Sequence, residues 1–499
     1  MRPVLLYNGH FITFKHSAPH VRAILIKNGI IEKCYVRRPT ALRAVRRIDL
    51  KNQFVIPGFT DCHTHLVARG IELQRINLET CQSLEDCLEK MHSDVRSGHE
   101  VVFGSNWDET AWRSPDYRQL TRHTLDAISR KRPVVMRRVC GHFAVVNTRA
   151  LKMIPRTWRI VDRQTGHLFE DVVLDLDDIF KPTDSMLARA IDLGTAEALR
   201  NGITSVHEIT KPRRFRFLQR AHAHRKLKLR WACYMKLQYL DDVLAAGLTN
   251  GFGNDLLKFC GIKVYLDGSL GAQTAALSKP YAGTRKRGTL LFSQRQLFKI
   301  AQTAQKHDLQ LMIHAIGDRT SALAVHVLKR TIDKKNRLRH RLEHLEVADT
   351  RTIRTMARLK LIASMQPNFT ARWQQPGDMY EQYLGDRYKQ MNCFKQFAAA
   401  GVRVVFGSDC MPLGPLYGLQ GAVFHPFACG RCTPLEALRM YTMNPAYATF
   451  DESKKGAIVE GTLADLVVLD KNPLIKENHG RIKVLMTMVN GDIVYRCSV

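Results

Sequence analysis

The sequence predicts an α/β protein, in which a (β/α)8 barrel carries a small β-sandwich built from both chain ends and an insertion over the barrel mouth. Three observations predict this fold. Eight short apolar runs alternate with amphipathic helical stretches, the two chain ends share a pattern of strands and tight turns, and a long segment with its own strand-like runs follows the first barrel run. Alternating strands and helices are typical of a parallel sheet, and eight such units close a TIM barrel.

Both chain ends read as pieces of one small β-structure. Residues 1–56 alternate short apolar stretches with turn signals, and the residues after about 456 repeat that pattern. Each end contains an Asn-Gly pair between apolar runs, Asn28-Gly29 and Asn490-Gly491, and this pair is a strong hairpin signal. We therefore assign residues 1–56 and 456–499 to a small β-sandwich domain.

The barrel is expected over residues 57–455. Its candidate strands are, in order, FVIPGFTDCH, GITSVHEI, LRWACYMKL, FCGIKVYLDG, LQLMIHAIGD, HRLEHLEV, LIASMQP and VRVVFGSD. Two further strand-like runs, EVVFGSNWDE and RPVVMRRVCGHFAVV, lie between the first and second of these. We assign about residues 70–180 to an insertion over the barrel mouth.

Composition limits the class of protein. The chain has 499 residues, of which 45% are hydrophobic and 24% charged, as in ordinary globular proteins. No run of 18 apolar residues and no leader-like N-terminus is visible, so we expect a cytoplasmic protein without membrane insertion. The twelve cysteines are scattered, which favours buried thiols over a disulfide framework.

The chain is strongly basic, with 76 Lys and Arg against 46 Asp and Glu and a net charge of +30. Such a charge attracts nucleic acid, anionic lipid or acidic metabolites without specifying any of them. The basic runs are dispersed and no known nucleic-acid module accompanies them, so we interpret them as solvated outer helices. No specific nucleic-acid partner is expected.

Polar residues of metal-binding type stand at or near the ends of the predicted barrel strands. Catalytic groups of such barrels project from the carboxyl ends of the strands. Imidazole and carboxylate groups gathered there suit divalent ions such as zinc. The candidate ligands are His63, His65, Lys263, His314, His344 and Asp409.

Three of these residues need a separate argument. His63 and His65 are two positions apart, so on a strand both rings point to the same face and can reach one ion. Lys263 would repel a metal as an ammonium, but a buried lysine loses its charge and can add carbon dioxide to give a carbamate that bridges two ions. The alternative is that Lys263 faces outward from the barrel.

The segments DCHTHL, IKVYLDGSLGAQTAAL, MIHAIGD, HRLEHLE and FGSDCMPLGP resemble the metal-dependent amidohydrolase superfamily, and in particular its amidohydrolase family 3 branch. The resemblance covers nearly the whole chain. It implies a binuclear hydrolase with two divalent ions, zinc being the expected metal, and a carboxylated lysine formed with carbon dioxide. It also implies that Asp409 is catalytic as well as a metal ligand.

The resemblance extends to three segments of the insertion. GSNWDETAW, CGHFAVVNTRAL and GHLFED are similar to the family's segments over the pocket, so Trp107, His142 and Glu170 are expected to contact the substrate. The alternative is that Trp107 belongs to a core and His142 lies in a turn.

We predict hydrolysis of a non-peptide, amide-type C–N bond of a small molecule by a metal-bound hydroxide, with Asp409 moving the proton to the leaving nitrogen. Two other interpretations stay open. One is a mononuclear, deaminase-like hydrolase, and the other is a basic nucleic-acid-binding protein on an inactive barrel. The substrate and the oligomeric state, which includes a homodimer, also stay open.

Overall fold

The computed structural model describes residues 2–14, 20–39, 42, 44–94, 100–109, 112–113, 119–139, 141, 143–157, 161–169, 171–333 and 335–497. The chain divides into two compact units. Residues 1–66 and 194–499 form the first unit, and residues 67–193 form the second.

The strands are, in chain order, β1 Val4–Tyr7, β2 His10–Phe11, β3 Ala23–Lys27, β4 Ile30–Tyr35, β5 Arg46–Asp49, β6 Phe54–Pro57, β7 Phe59–Thr64, β8 Ile76–Asn77, β9 Val102–Trp107, β10 Val134–Arg138, β11 Phe143–Val146, β12 Val161–Asp162, β13 His167–Phe169, β14 Ile203–Thr210, β15 Arg230–Lys236, β16 Leu257–Tyr265, β17 Gln310–Ala315, β18 Arg341–His344, β19 Ile362–Met365, β20 Arg403–Phe406, β21 Leu466–Leu469, β22 Val484–Val489 and β23 Asp492–Arg496.

The α-helices are α1 Leu66–Glu72, α2 Leu84–Asp94, α3 Arg122–Asp126, α4 Thr148–Met153, α5 Asp171–Leu174, α6 Leu176–Ile179, α7 Asp184–Arg200, α8 Pro212–Ala223, α9 Leu240–Ala245, α10 Gln294–Lys306, α11 Asp318–Thr331, α12 Thr350–Arg358, α13 Pro367–Trp373, α14 Met379–Leu384, α15 Phe394–Ala399, α16 Pro415–Val423, α17 Pro434–Tyr441 and α18 Met443–Ala448.

The first unit contains the predicted parallel barrel. Its eight strands lie in the order β7, β14, β15, β16, β17, β18, β19 and β20, so each strand neighbours the next one along the chain. Residues of β14 and β17 are buried along their whole length, as expected when helices cover a parallel sheet. The ends of the first and last strands meet where the Asp409 amide donates to the His63 carbonyl at 2.8 Å. The (β/α)8 fold class is thereby confirmed.

The outer helices form for local reasons that their sequences show. In α10, Ser293 and Gln296 make a reciprocal capping box that satisfies free amides at the helix start. The buried residues Leu297, Ala301 and Ala304 follow at spacings of four and three, which places them on one helix face. The other face carries polar and basic residues to the solvent.

Two further sheets of the first unit come from the chain ends. One has the order β4-β3-β1-β5 and the other the order β2-β6-β21-β22-β23. Side chains from both sheets share one hydrophobic core, which includes Leu6, Ile24, Val55, Leu466 and Met488. The predicted hairpins at Asn28-Gly29 and Asn490-Gly491 are confirmed, since each pair joins two antiparallel strands with both residues at positive φ.

One predicted strand is in fact two. The run FVIPGFTDCH divides at Gly58 into β6, which pairs with β21, and β7, which begins the barrel. A side chain at Gly58 would lie 2.2 Å from Thr204 Oγ1, so the chain can pass from one sheet to the other here only without a Cβ atom. The change of sheet is invisible in the apolar pattern because both strands are buried.

The second unit contains a six-stranded sheet in the order β12-β13-β11-β10-β9-β8. The run RPVVMRRVCGHFAVV, expected as one strand, forms the antiparallel strands β10 and β11. One face of the sheet packs on a core that includes Trp107, Trp112 and Leu125. Among the described helices, none is long and apolar enough to cross a membrane.

Candidate metal centre and the family of the chain

Three predicted metal ligands lie close together at the carboxyl ends of β7 and β20. Asp409 Oδ1 lies 3.3 Å from His65 Nε2 and 3.8 Å from His63 Nε2. One donor atom from each of the three residues falls within 4.8 Å of the others, which is close enough to bind one ion. His65 and Asp409 keep partly exposed side chains, so solvent reaches this side of the centre.

The backbone around Asp409 is shaped to bring its side chain to the two histidines. Asp409 and Cys410 have φ angles of 54° and 61°, a conformation that non-glycine residues rarely adopt. The hydrogen bond from the Asp409 amide to the His63 carbonyl fixes this turn against β7. Positive φ values at non-glycine residues persist where surrounding contacts enforce them, and they concentrate at functional sites.

Lys263 lies beside this group and is fully buried. Its Nζ is 3.4 Å from His63 Nε2 and 4.8 Å from the centre of the Tyr265 ring. Burial lowers the pKa of Lys263 to about 8, although the carboxylates of Glu343 and Asp409 oppose that effect. A lysine with this pKa is neutral in a minor fraction of molecules near neutral pH, far more often than an exposed lysine, and only the neutral amine reacts with carbon dioxide.

The other two predicted histidines complete the cluster. The His344 ring centre lies 4.7 Å from that of His63 and 4.4 Å from that of His314. Burial lowers the pKa of His344 well below its usual value, so its ring is neutral and able to bind a metal. The side chain of Gln366 lies beside this ring and opposes that effect.

Glu343 orients His63, and sequence reasoning did not assign it. Its Oε2 lies 2.6 Å from His63 Nδ1, and Arg341 Nε donates to its Oε1 at 2.6 Å. Burial alone would raise the pKa of Glu343, but the Arg341 guanidinium and the His63 ring lower it to about 2. An ionised carboxylate on Nδ1 leaves Nε2 free to face a metal, as in many metal-bound histidines.

Two more buried carboxylates hold the chain around the centre. Asp61 accepts hydrogen bonds from the backbone amides of His63 and Ser408 and from the Ser408 hydroxyl. Glu208 accepts hydrogen bonds from the Thr64 hydroxyl and the Leu66 amide. These contacts fix the loops after β7 and β20, so the ligands on them are held in place before any ion binds.

The donor set fits a divalent metal. It combines neutral imidazole nitrogens, an ionised carboxylate and a buried lysine, which are ligands that zinc and similar ions accept. The carboxylate on His63 Nδ1 agrees with this assignment. His63, His65 and Asp409 are therefore the residues placed to hold one ion.

Of the three predicted substrate contacts in the second unit, only Trp107 lies among the described residues. Trp107 is fully buried, stacks on Trp112 at 5.5 Å and packs against Phe143. This burial favours the packing alternative for Trp107, because a substrate can bind only an accessible surface. His142 and Glu170 lie outside the described residues, so their predicted contacts stay predictions.

A parallel eight-stranded barrel with a histidine and carboxylate cluster at its strand ends defines a class of metal-dependent barrel hydrolases. The sequence model of the family described as "Amidohydrolase family" matches residues 46–495 of this chain. The chain therefore belongs to the amidohydrolase family and is an enzyme of that hydrolase family.

Relatives and solved structures agree with this membership. The chain is 26% identical over 99% of both sequences to the amidohydrolase YtcJ of Bacillus subtilis (strain 168). It is 24% identical to the N-substituted formamide deformylase of Arthrobacter pascens, over 99% of this chain and 98% of the relative. The structure of an uncharacterized metal-dependent hydrolase from Pyrococcus furiosus aligns with a TM-score of 0.80 and 25% identity, over 95% of this chain and 100% of that one.

Proposed function

We propose that this chain hydrolyses a carbon–nitrogen bond of amide type, other than a peptide bond, in a small molecule. The observation that carries the proposal is the convergence of His63, His65 and Asp409 beside the buried Lys263. The relative from Arthrobacter pascens, named as an N-substituted formamide deformylase, supports the bond type.

Two divalent ions, zinc by our proposal, would be held by His63, His65, His314, His344 and Asp409, with carboxylated Lys263 between them. Bound ions of this kind polarise a carbonyl group and make water acidic enough to react near neutral pH. His63, His65 and Asp409 alone would suffice to hold one ion. A site with one ion is the mononuclear, deaminase-like alternative.

Asp409 is the residue best placed to move a proton. Burial opposes its ionisation, but His63 and His65 hold the pKa of Asp409 well below its usual value. Its carboxylate is therefore ionised at neutral pH and can accept a proton from the attacking water. In the same position it can then pass that proton to the leaving nitrogen. His142 and Glu170 are retained as proposed substrate contacts.

Metal analysis tests the site directly. We expect about two divalent ions per chain after expression with added zinc, and parallel loss of metal and of hydrolysis after dialysis against a chelator. Elemental analysis together with a hydrolysis screen over N-acyl and cyclic amides measures both. One ion per chain with activity would support the mononuclear alternative, and no ion after zinc supplementation would contradict the proposal.

The basic surface is expected to be dispensable for hydrolysis. On α8, Arg216 and Arg220 are exposed, whereas Phe215, Phe217 and Leu218 are buried. Replacing both arginines with glutamine should leave kcat/KM unchanged at physiological salt, since neither side chain is part of the cluster. The Glu343→Gln variant serves as a positive control for loss of turnover, because it removes the carboxylate charge that orients His63. A large loss of turnover in the double arginine variant would instead favour a function of the basic charge.

A further inference from the structure

Two cysteines that are far apart in the sequence come together in the fold. Cys393 lies directly before α15, and Cys429 lies in the loop between α16 and α17. The Gln396 amide donates to the Cys429 carbonyl at 2.9 Å. A Cβ atom at Gly430 would lie 2.7 Å from the carbonyl oxygen of Asn392. The backbone on both sides of the two cysteines is therefore in direct contact.

The two thiols are directed to the same short stretch of backbone. The Cys393 thiol donates to the Met391 carbonyl at 3.7 Å, and the Cys429 thiol donates to the Lys389 carbonyl at 3.6 Å. The two thiols also share a hydrogen bond with each other. Since both backbones are already in contact, rotation of the side chains is enough to bring the sulfur atoms to bonding distance.

The two thiols differ in their access to solvent and in their acidity. Cys393 is 5% exposed, whereas Cys429 is half-buried. Their shared hydrogen bond lowers the pKa of Cys429 and raises the pKa of Cys393. Because the thiolate is the form that attacks an oxidant, Cys429 is placed to react first and Cys393 second.

The sequence alone would give Cys429 another partner. Cys429 and Cys432 form the pattern C-x-x-C, which in many proteins is a redox-active pair. In the structure the Cys432 thiol donates to the Gly430 carbonyl at 3.5 Å and is only 3% exposed. Burial raises the pKa of Cys432 to about 12. Cys432 is therefore a protonated thiol that is bonded within its own loop, and the geometry favours Cys393 as the partner.

We propose that Cys393 and Cys429 form a reversible disulfide on reaction with hydrogen peroxide. The Cys429 thiolate attacks one peroxide oxygen and the O–O bond breaks, which gives a sulfenic acid and a hydroxide that takes up a proton to become water. The Cys393 sulfur then attacks the Cys429 sulfur. The S–S bond forms, the S–O bond breaks, and the hydroxyl leaves with the Cys393 proton as a second water.

This reaction gives the pair a protective role that is independent of the proposed hydrolysis. The two thiols lose two electrons and two protons, and one peroxide is reduced to two waters. A disulfide returns to two thiols on reduction, whereas further oxidation of a lone sulfenic acid to a sulfinic acid is irreversible in most proteins. Cys393 therefore protects the accessible Cys429 from permanent damage.

Peptide mapping of the full-length, metal-loaded protein tests the inference without any substitution. After treatment with hydrogen peroxide and alkylation of the remaining thiols, mass spectrometry should find a peptide in which Cys393 and Cys429 are linked, and dithiothreitol should release it. Cys432→Ser is the matched control and should form the same link at the same rate. A link between Cys429 and Cys432 in the natural protein, or no link at all, would overturn the inference.

Cys393→Ser tests the order of the two reactions. In this variant Cys429 should be trapped as a sulfenic acid by dimedone, and without dimedone it should accumulate as a sulfinic acid at least about tenfold more than in the natural protein. Equal amounts of sulfinic acid in the two proteins would show that Cys393 does not protect Cys429. The serine side chain is close in size to cysteine, and the map of the natural protein decides the pairing by itself if the variant fails to fold.

A second thiol pair provides an internal control for access. Cys81 and Cys87 also share a hydrogen bond, but both are buried. If the accessible thiol of Cys429 starts the reaction, Cys81 and Cys87 should become oxidised at least about tenfold more slowly than Cys429. Equal rates of oxidation for both pairs would mean that peroxide does not select this site, and the inference would be wrong.

Discussion

Lys263→Ala is expected to lose metal and hydrolytic activity together. The lysine is fully buried with its Nζ 3.4 Å from His63 Nε2, so it faces the proposed ions and not the barrel surface. Without a side chain able to form a carbamate, the two proposed ions would lose the ligand that we place between them. An outward-facing lysine would tolerate the change within about 0.5 kcal/mol of stability.

Chemical rescue distinguishes a lost bridge from a misfolded barrel. Acetate, formate or propionate in solution is expected to restore part of the metal content and turnover of Lys263→Ala, because a free carboxylate can occupy the place of the carbamate. Asp409→Ala should show no such rescue, since we propose that its carboxylate also moves the proton. Labelled bicarbonate should give a carbamate carbon signal by nuclear magnetic resonance in the natural protein and none in Lys263→Ala.

Lys236 offers a matched control for these measurements. It pairs in register with Lys263 on the neighbouring strand β15, and its side chain is half-buried. Lys236→Ala should keep both ions and the carbamate signal. Full metal content and activity in Lys263→Ala would show that Lys263 is no ligand, and the binuclear proposal would then be wrong.

The barrel was predictable because its strands are short apolar runs with helical periodicity between them. The prediction was least accurate where one apolar run follows another with no polar residue to mark the boundary. At Gly58 two buried strands follow each other without a polar residue, and only the close approach of Thr204 shows why the chain changes sheet there. Periodicity reports burial, but it does not report which of two sheets a buried strand joins.

The candidate ligands were visible because they interrupt apolar runs at strand ends. Glu343 was not, because strand alternation places it on the face opposite to His344 and does not connect it to the cluster. In the structure the φ angle of His344 is 71°, which breaks the alternation and turns its ring toward His63. Glu343 and Arg341 share the inward face by strand alternation. The His344 ring reaches the same side only because of its backbone angle, which the spacing of the residues does not reveal.

Arg341 and Glu343 form a buried ion pair beside the candidate metal centre. Both side chains are fully buried, and Arg341 Nε lies 2.6 Å from Glu343 Oε1. Arg341 also donates to His207, to the Cys62 carbonyl and to the Ser364 hydroxyl. Removing one partner of such a pair leaves an uncompensated charge, whereas removing both is far less damaging.

Arg341→Met is therefore expected to reduce the free energy of unfolding by about 3–5 kcal/mol, measured by denaturant titration of the metal-free protein. Arg337→Met is the matched control, because its ion pair with Asp308 is exposed and should contribute less than about 1 kcal/mol.

The double variant Arg341→Met, Glu343→Met should be more stable than Arg341→Met alone, since no lone charge remains buried. Its zinc affinity should nevertheless stay about 10–100-fold below that of the natural protein, because no carboxylate then orients His63. Recovery of zinc affinity together with stability would show that Glu343 serves only to neutralise Arg341, and its assignment as the group that positions His63 would be wrong.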